Sequence, residues 1–177
     1  MDWEGMLRTW EALFGGLLSA GLLSAFEPVL PWFVGIVVFL VVARTPLPGR
    51  GPGILTRRDE WRRFKGQARR DVMARAGNRC EGSVFLAWGR CPDDAQEADH
   101  VYPWSKGGPT VVGNGQALCR GHNRSKSNMT PPWWYVLTLE RRRRRYFPAG
   151  VDGRVSADLT AADRQVRAAW NARRPAR

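Results

Sequence analysis

Apolar residues dominate the start of the chain and then give way to short periodic pieces. From Ala12 to Ala43 there are 32 residues and one charge, Glu27. A helix needs about 20 apolar residues to cross the hydrocarbon of a bilayer. The stretch therefore predicts a transmembrane helix from about Phe26 to Ala43, or a hairpin of two short helices. The hairpin would break at Glu27-Pro28 and Pro31, where a missing amide and a ring clash interrupt the ladder. A buried hairpin in a protein core is the other use of such a segment. A cleaved signal peptide fits poorly, because the leading residues Asp2 and Glu4 are acidic where a signal is basic. Arginines at 44, 50, 57, 58, 62 and 63 follow, and the positive-inside rule then predicts a cell-membrane protein whose C-terminal part lies on the cytoplasmic side, with the lipid bilayer as a partner. The run TPLPGRGPG from Thr45 to Gly53 reads as a linker that cannot continue a helix.

Beyond the linker the period changes. Trp61, Phe64, Ala68, Val72 and Ala76 recur at helical spacing among arginines, predicting an amphipathic helix over 57–76 ended by Gly77-Asn78. The pieces SVFLAW, ADHVYP and TVVGN are β-prone and separated by Gly and Pro. A second helix starts near Cys119 and carries His122, Asn123 and Lys126. A third, near 160–173, opens with a capping-box-like Thr160 and Asp163 and places Ala162, Val166, Ala169 and Trp170 on one face. Trp133, Trp134 and Tyr135 fit a core, or a lipid-facing patch together with Arg141 to Arg145.

Charge sharpens the division. Residues 1–43 hold one basic and four acidic side chains, whereas the other 134 hold 27 basic and 12 acidic, so a formal +12 overall becomes +15 on the C-terminal part. Such a surplus favours polyanions, because each neutralised phosphate releases condensed counterions. Arg outnumbers Lys 25 to 3, a bias that a GC-rich genome would also produce.

Candidate chemistry is confined to a short window. All three cysteines, Cys80, Cys91 and Cys119, lie within 43 residues of sequence that also include His122. Cys119-x-x-His122 has the spacing of two ligands on one tetrahedral ion, and four such ligands suggest structural zinc. Buried unmetallated thiols are the alternative. A disulfide is disfavoured, since it would leave an odd cysteine. The ten residues between Cys80 and Cys91 are more than zinc knuckles use. With His122 so assigned, His100 is the imidazole left for chemistry, and around it in sequence lie Asp99, Asn114, Asn123 and Lys126. Hydrolysis of a phosphodiester needs a base that titrates near neutrality, which is histidine's range. It also needs a hard divalent cation, for which the oxygens of Asp99 and Asn123 suit magnesium or a similar ion. Taken singly, Asp99-His100 could be a solvated pair, Asn114 a turn residue and Asn123 a helix cap.

Together, ADHVYPWSKGG, Asn114 and LCRGHNRSK resemble the HNH endonucleases, in a variant whose third letter is Asn. The resemblance covers roughly Gly77 to Asn128. It implies an α+β chain with a small zinc-stabilised ββα-metal domain and flanking helices, preceded by the apolar segment. With the composition of the rest of the chain, the expected organisation is an anchor at 1–44, a linker at 45–56, the nuclease domain with its leading basic helix at 57–130, and a basic extension at 131–177. The resemblance also implies that His100 is the general base and that Asp99 and Asn123 ligate the catalytic cation. Asn114 would hold the loop and orient His100, and Lys126 with Arg124 would contact phosphate. The expected function is a metal-dependent, membrane-anchored DNA endonuclease. The alternative is a non-catalytic, zinc-containing membrane tether for nucleic acid, which would have no need of a free imidazole.

Overall fold

The computed structural model describes residues 3–6, 8–10, 26–53, 56–84 and 89–173. These residues form two compact units, Met1–Ala43 and Arg44–Arg177. In the first, residues 11–25, the leading part of the expected hairpin, lie outside the described residues. The apolar run that is described forms helix α1, Leu30–Arg44, of 15 residues. At about 1.5 Å per residue this helix is well short of the ~30 Å hydrocarbon layer. It cannot reach further back because Pro28 and Pro31 lack amide donors, and the chain from 27 to 29 turns instead. Among the described residues no helix is long and apolar enough to cross a membrane. This corrects the expected transmembrane helix and, with it, the membrane location, its cytoplasmic orientation and the lipid partner.

The second unit is α+β. Helix α2, Gly66–Arg75, occupies only the latter half of the predicted 57–76 helix. The first half is irregular for two reasons. Asp59 uses its carboxylate to accept from the Trp61 amide at 3.2 Å, a local bond that competes with helix, and Gly66 has φ of +52°, outside the helical region. The predicted stop is where expected: Gly77 and Asn78 both have positive φ, and the Asn78 amide bonds back to the Met73 carbonyl at 2.9 Å.

Two strands follow, β1 (Glu97–His100) and β2 (Gly115–Leu118). They pair antiparallel, with Asp99 opposite Gln116 and His100 opposite Gly115. The piece TVVGN adds no strand; its end forms a 3₁₀ turn at Val112–Asn114. Of SVFLAW, residues 85–88 lie outside the described residues. Helix α3, Arg120–Lys126, starts directly after β2, and the Cys119 sulfur accepts from the His122 amide as its cap. Helix α4 is Trp133–Arg143. Helix α5, Ala161–Ala172, carries the capping box formed by Thr160 and Asp163.

One core cluster joins Phe64, Val72, Met73, Ala76 and Ala117 beneath the hairpin. A second joins Val101, Tyr102, Val136, Leu139, Val155 and Ala157. Trp133 and Trp134 remain 36% exposed, while Tyr135 packs on the second cluster and donates its hydroxyl to Gln116 at 2.9 Å.

A buried ion pair locks α4 to β2. Glu81 accepts from Arg143 Nε at 2.8 Å, from the Tyr146 hydroxyl at 2.9 Å and from the Ala117 amide at 2.8 Å. Burial by itself would raise the Glu81 pKa, but the Arg143 guanidinium outweighs it and holds the carboxyl below the usual range. A carboxyl depressed in the fold contributes stability that is present above its unfolded pKa of about 4.3 and is lost as pH falls through the lower, folded value. Glu81→Gln is expected to destabilise by about 3–5 kcal/mol, because it leaves a buried guanidinium without its counter-charge. Urea unfolding at neutral pH measures this, and the gap between wild type and variant should shrink in strong acid.

Candidate active site and metal centre

Cys80, Cys91, Cys119 and His122 converge, with one ligand atom from each lying within 4.8 Å of the others. The long spacer is no obstacle, because the chain on either side of it pairs with itself. The Cys80 amide bonds the Asp93 carbonyl and the Cys91 amide bonds the Gly82 carbonyl, each at 2.9 Å, and Arg79 bridges Asp94. The cysteines are therefore placed by a closed loop, which Arg90 fastens by donating to the Cys80 carbonyl at 2.9 Å.

His122 Nδ1 lies 3.6 Å from the Cys80 sulfur and 3.2 Å from that of Cys119. A tetrahedral zinc with bonds of ~2.3 Å to sulfur and ~2.0 Å to nitrogen has ligand-to-ligand edges of roughly 3.5–3.8 Å; the Cys80 distance matches this, the Cys119 distance is shorter, and the set as a whole, within 4.8 Å, needs only small side-chain shifts to enclose such an ion. The other ring nitrogen, Nε2, donates to the Ser83 carbonyl at 3.0 Å, which fixes the tautomer that presents Nδ1 inward. Gly82 is required beside it: a Cβ there would stand 2.5 Å from the imidazole. Burial pushes the Cys80 thiol up to about 12 in the protein without an ion. A bound cation is what would favour the thiolate there.

The other candidate residues gather around β1. Alternation along a strand sends Glu97 and Asp99 to one face, Ala98 and His100 to the other. On the first face, α3 meets β1 through two polar contacts: the Asn123 amide nitrogen donates to Glu97, and Lys126 Nζ lies 2.8 Å from Asp99 Oδ2. These contacts point the Asn123 amide nitrogen at Glu97 and leave its Oδ1 out of that bond. A cation held by Asp99 and Asn123 would meet only oxygen donors, the kind a hard divalent ion takes. Arg124 is exposed on α3.

On the second face, the His100 ring is buried, tilted against Phe64 with centroids 4.7 Å apart. Its Nε2 meets Thr110 Oγ1 at 2.9 Å. The Thr110 hydroxyl proton is already directed at the Trp61 carbonyl, so Oγ1 accepts from Nε2–H. That leaves the lone pair on Nδ1, the nitrogen 3.9 Å from Asp99 Oδ1. Burial lowers the His100 pKa to about 4, with Asp99 pulling the other way. The ring is consequently neutral near pH 7 and able to accept a proton, but it is a weaker base than the near-neutral imidazole expected from the sequence, because burial disfavours its charged form.

The intervening loop is pinned by Asn114. Its Oδ1 accepts from the Tyr102 amide at 2.9 Å, and its Nδ2 donates to the Tyr102 and Pro109 carbonyls at 3.1 and 2.9 Å. Gly108 closes the same turn, since a Cβ there would sit 1.9 Å from the Tyr102 carbonyl oxygen.

The HNH endonuclease family model matches residues 78–129. The matched HNH segment contains the four-ligand cluster, β1, the pinned loop, β2 and α3. No curated protein and no solved structure matches the chain significantly.

Several residues that hold His100 carry no sequence signal of their own, and two of them, Asp59 and Arg167, lie outside the matched segment. Thr110, rather than Asn114, holds the His100 ring. Thr110 is itself clamped by Asp59, which accepts from its amide at 2.8 Å, and by Arg167, which donates to its carbonyl at 3.1 Å. Asp59 and Arg167 form a buried pair at 2.7 Å. Glu97 was legible in principle, because it stands two residues from Asp99 and strand alternation puts both on one face.

Proposed function

We propose that the chain is a metal-dependent DNA endonuclease in which His100 activates water. The observation that carries this reading is the hydrogen-bond order at His100: Thr110 takes Nε2–H and leaves Nδ1 as a neutral acceptor beside Asp99. Water would give its proton to Nδ1 while its oxygen bonds to phosphorus and the ester P–O bond to the leaving oxygen breaks. Asp99 and Asn123 would hold a magnesium-like cation, which supplies charge neutralisation at the phosphate when bound. Lys126, already 2.8 Å from Asp99, would balance charge on the same side, and Arg124 would meet the backbone. Cys80, Cys91, Cys119 and His122 would hold zinc as a structural staple.

Nucleic acid as the substrate class follows from the family match and from the +15 surplus beyond residue 43. The test is cleavage of supercoiled plasmid by the full-length protein. Nicking or linearisation is expected with magnesium or manganese and none without added divalent ion. Asp99→Ala and Asn123→Ala should each shift the cation dependence to higher concentration and slow cleavage about 10–100-fold. Unchanged cation dependence in both variants would remove the proposed site.

A further inference from the structure

A cleft of about 700 Å³ opens beside the base, lined among others by Trp61, Arg62, Arg63, Lys65, Thr110 and Trp170. Thr110 ties it to the chemistry: its hydroxyl holds Nε2 of His100 at 2.9 Å. The two indoles stand edge to face, centroids 6.2 Å apart and planes 83° apart. Arg167 lies 4.5 Å from the Trp61 ring and is itself held by Asp59, so this guanidinium fixes the indole in place. Trp170 keeps 41% of its surface exposed. At the rim Arg62, Arg63 and Lys65 are exposed, and the opposing acid, Glu60, is engaged by Asn171 Nδ2 at 2.5 Å.

We infer that this cleft takes an unpaired nucleobase of single-stranded DNA, with its flanking phosphates on Arg62, Arg63 and Lys65. The inference rests on the nuclease reading above and adds the kind of substrate. Flat indole surface with cations at the rim is the chemistry that binds single strands, because every base offers a π-face and every linkage a charge. A duplex keeps its bases stacked inside and presents only phosphates to such a rim, so it gains nothing from Trp170. Purely electrostatic binding would not need an indole at all.

Fluorescence anisotropy of labelled oligo(dT), and of a blunt duplex of equal length, with the full-length protein and no added divalent ion, tests this directly. Trp170→Ala is expected to weaken oligo(dT) binding about tenfold, the size of one lost base–indole stack, and to change duplex binding by less than about twofold. Trp170→Phe should restore most of the single-strand affinity, and Arg63→Ala should lower the salt slope by about one. Equal loss on both substrates, or no loss on either, would overturn the cleft. The two readings fail separately. Trp170-dependent oligo(dT) binding with no cleavage of any DNA would overturn the nuclease alone, and His100-dependent cleavage of single-stranded DNA at subsaturating concentration, indifferent to Trp170, would overturn the cleft alone.

Discussion

Replacing His100 by alanine is expected to slow phosphodiester cleavage by about two to four orders of magnitude, the usual contribution of a positioned general base. The size follows from the exclusiveness of the site. The other histidine, His122, turns Nδ1 to the cysteine sulfurs and Nε2 to the Ser83 carbonyl, so neither of its nitrogens can substitute. DNA affinity should change little, since the ring is buried and the cationic surface is untouched. Cleavage of supercoiled plasmid under single-turnover conditions separates the two effects. Thermal melting of the variant guards against a trivial cause, because His100 packs on Phe64 and its loss also leaves a gap. A folded His100→Ala protein that cuts at the wild-type rate would end the assignment of the base. A wild type that binds DNA and never cuts would favour a non-catalytic binder.

Zinc removal is the second large effect. Sequestering the ion with a strong chelator is expected to abolish the cooperative melting transition of the second unit. Structural zinc sites contribute apparent free energies of about 10–16 kcal/mol, as large as the whole stability of an ordinary domain, about 5–15 kcal/mol. The site joins the Cys80–Cys91 loop to the start of α3, and β2 lies between them in the same cluster through Leu118. Without an ion, three buried cysteines meet with no charge to draw them together. Metal analysis should find one zinc per chain, and Cys119→Ser should lose both the zinc and the transition. His122→Cys should keep both, since thiolate and imidazole are interchangeable in tetrahedral sites. Identical melting with and without chelator would remove the structural metal.

Much of the site could be read from residue types alone. Cysteine and histidine are scarce in this chain, so their clustering pointed to a metal centre before any geometry was known. Asp99, His100, Asn114 and Asn123 stood at the spacings of the HNH motif. Helix ends were legible where a local rule decides them, as at Gly77-Asn78 and at the capping box of Thr160 and Asp163. Periodicity misled at 57–65 because Asp59 turns its carboxylate back on the Trp61 amide and is held in that position by Thr110 and Arg167, far along the chain. On α5 it pointed to Val166 and Trp170, which stay exposed, whereas the residue the fold buries is Arg167.

The sequence by itself determined the Cys3His set that converges, the HNH motif and the basic character of everything after residue 43, since each is a property of residue identity or short spacing. Only the tertiary structure decided which nitrogen of His100 is the acceptor, that Thr110 holds the ring, that Asp59 with Arg167 clamps Thr110 across a separation of 108 residues, and that Glu81 with Arg143 locks α4 to β2 across 62. It also decided that the described part of the apolar run makes a helix of 15 residues, too short to span a bilayer. Hydropathy counts apolar side chains, whereas the length of a helix is set by where the backbone ladder can start.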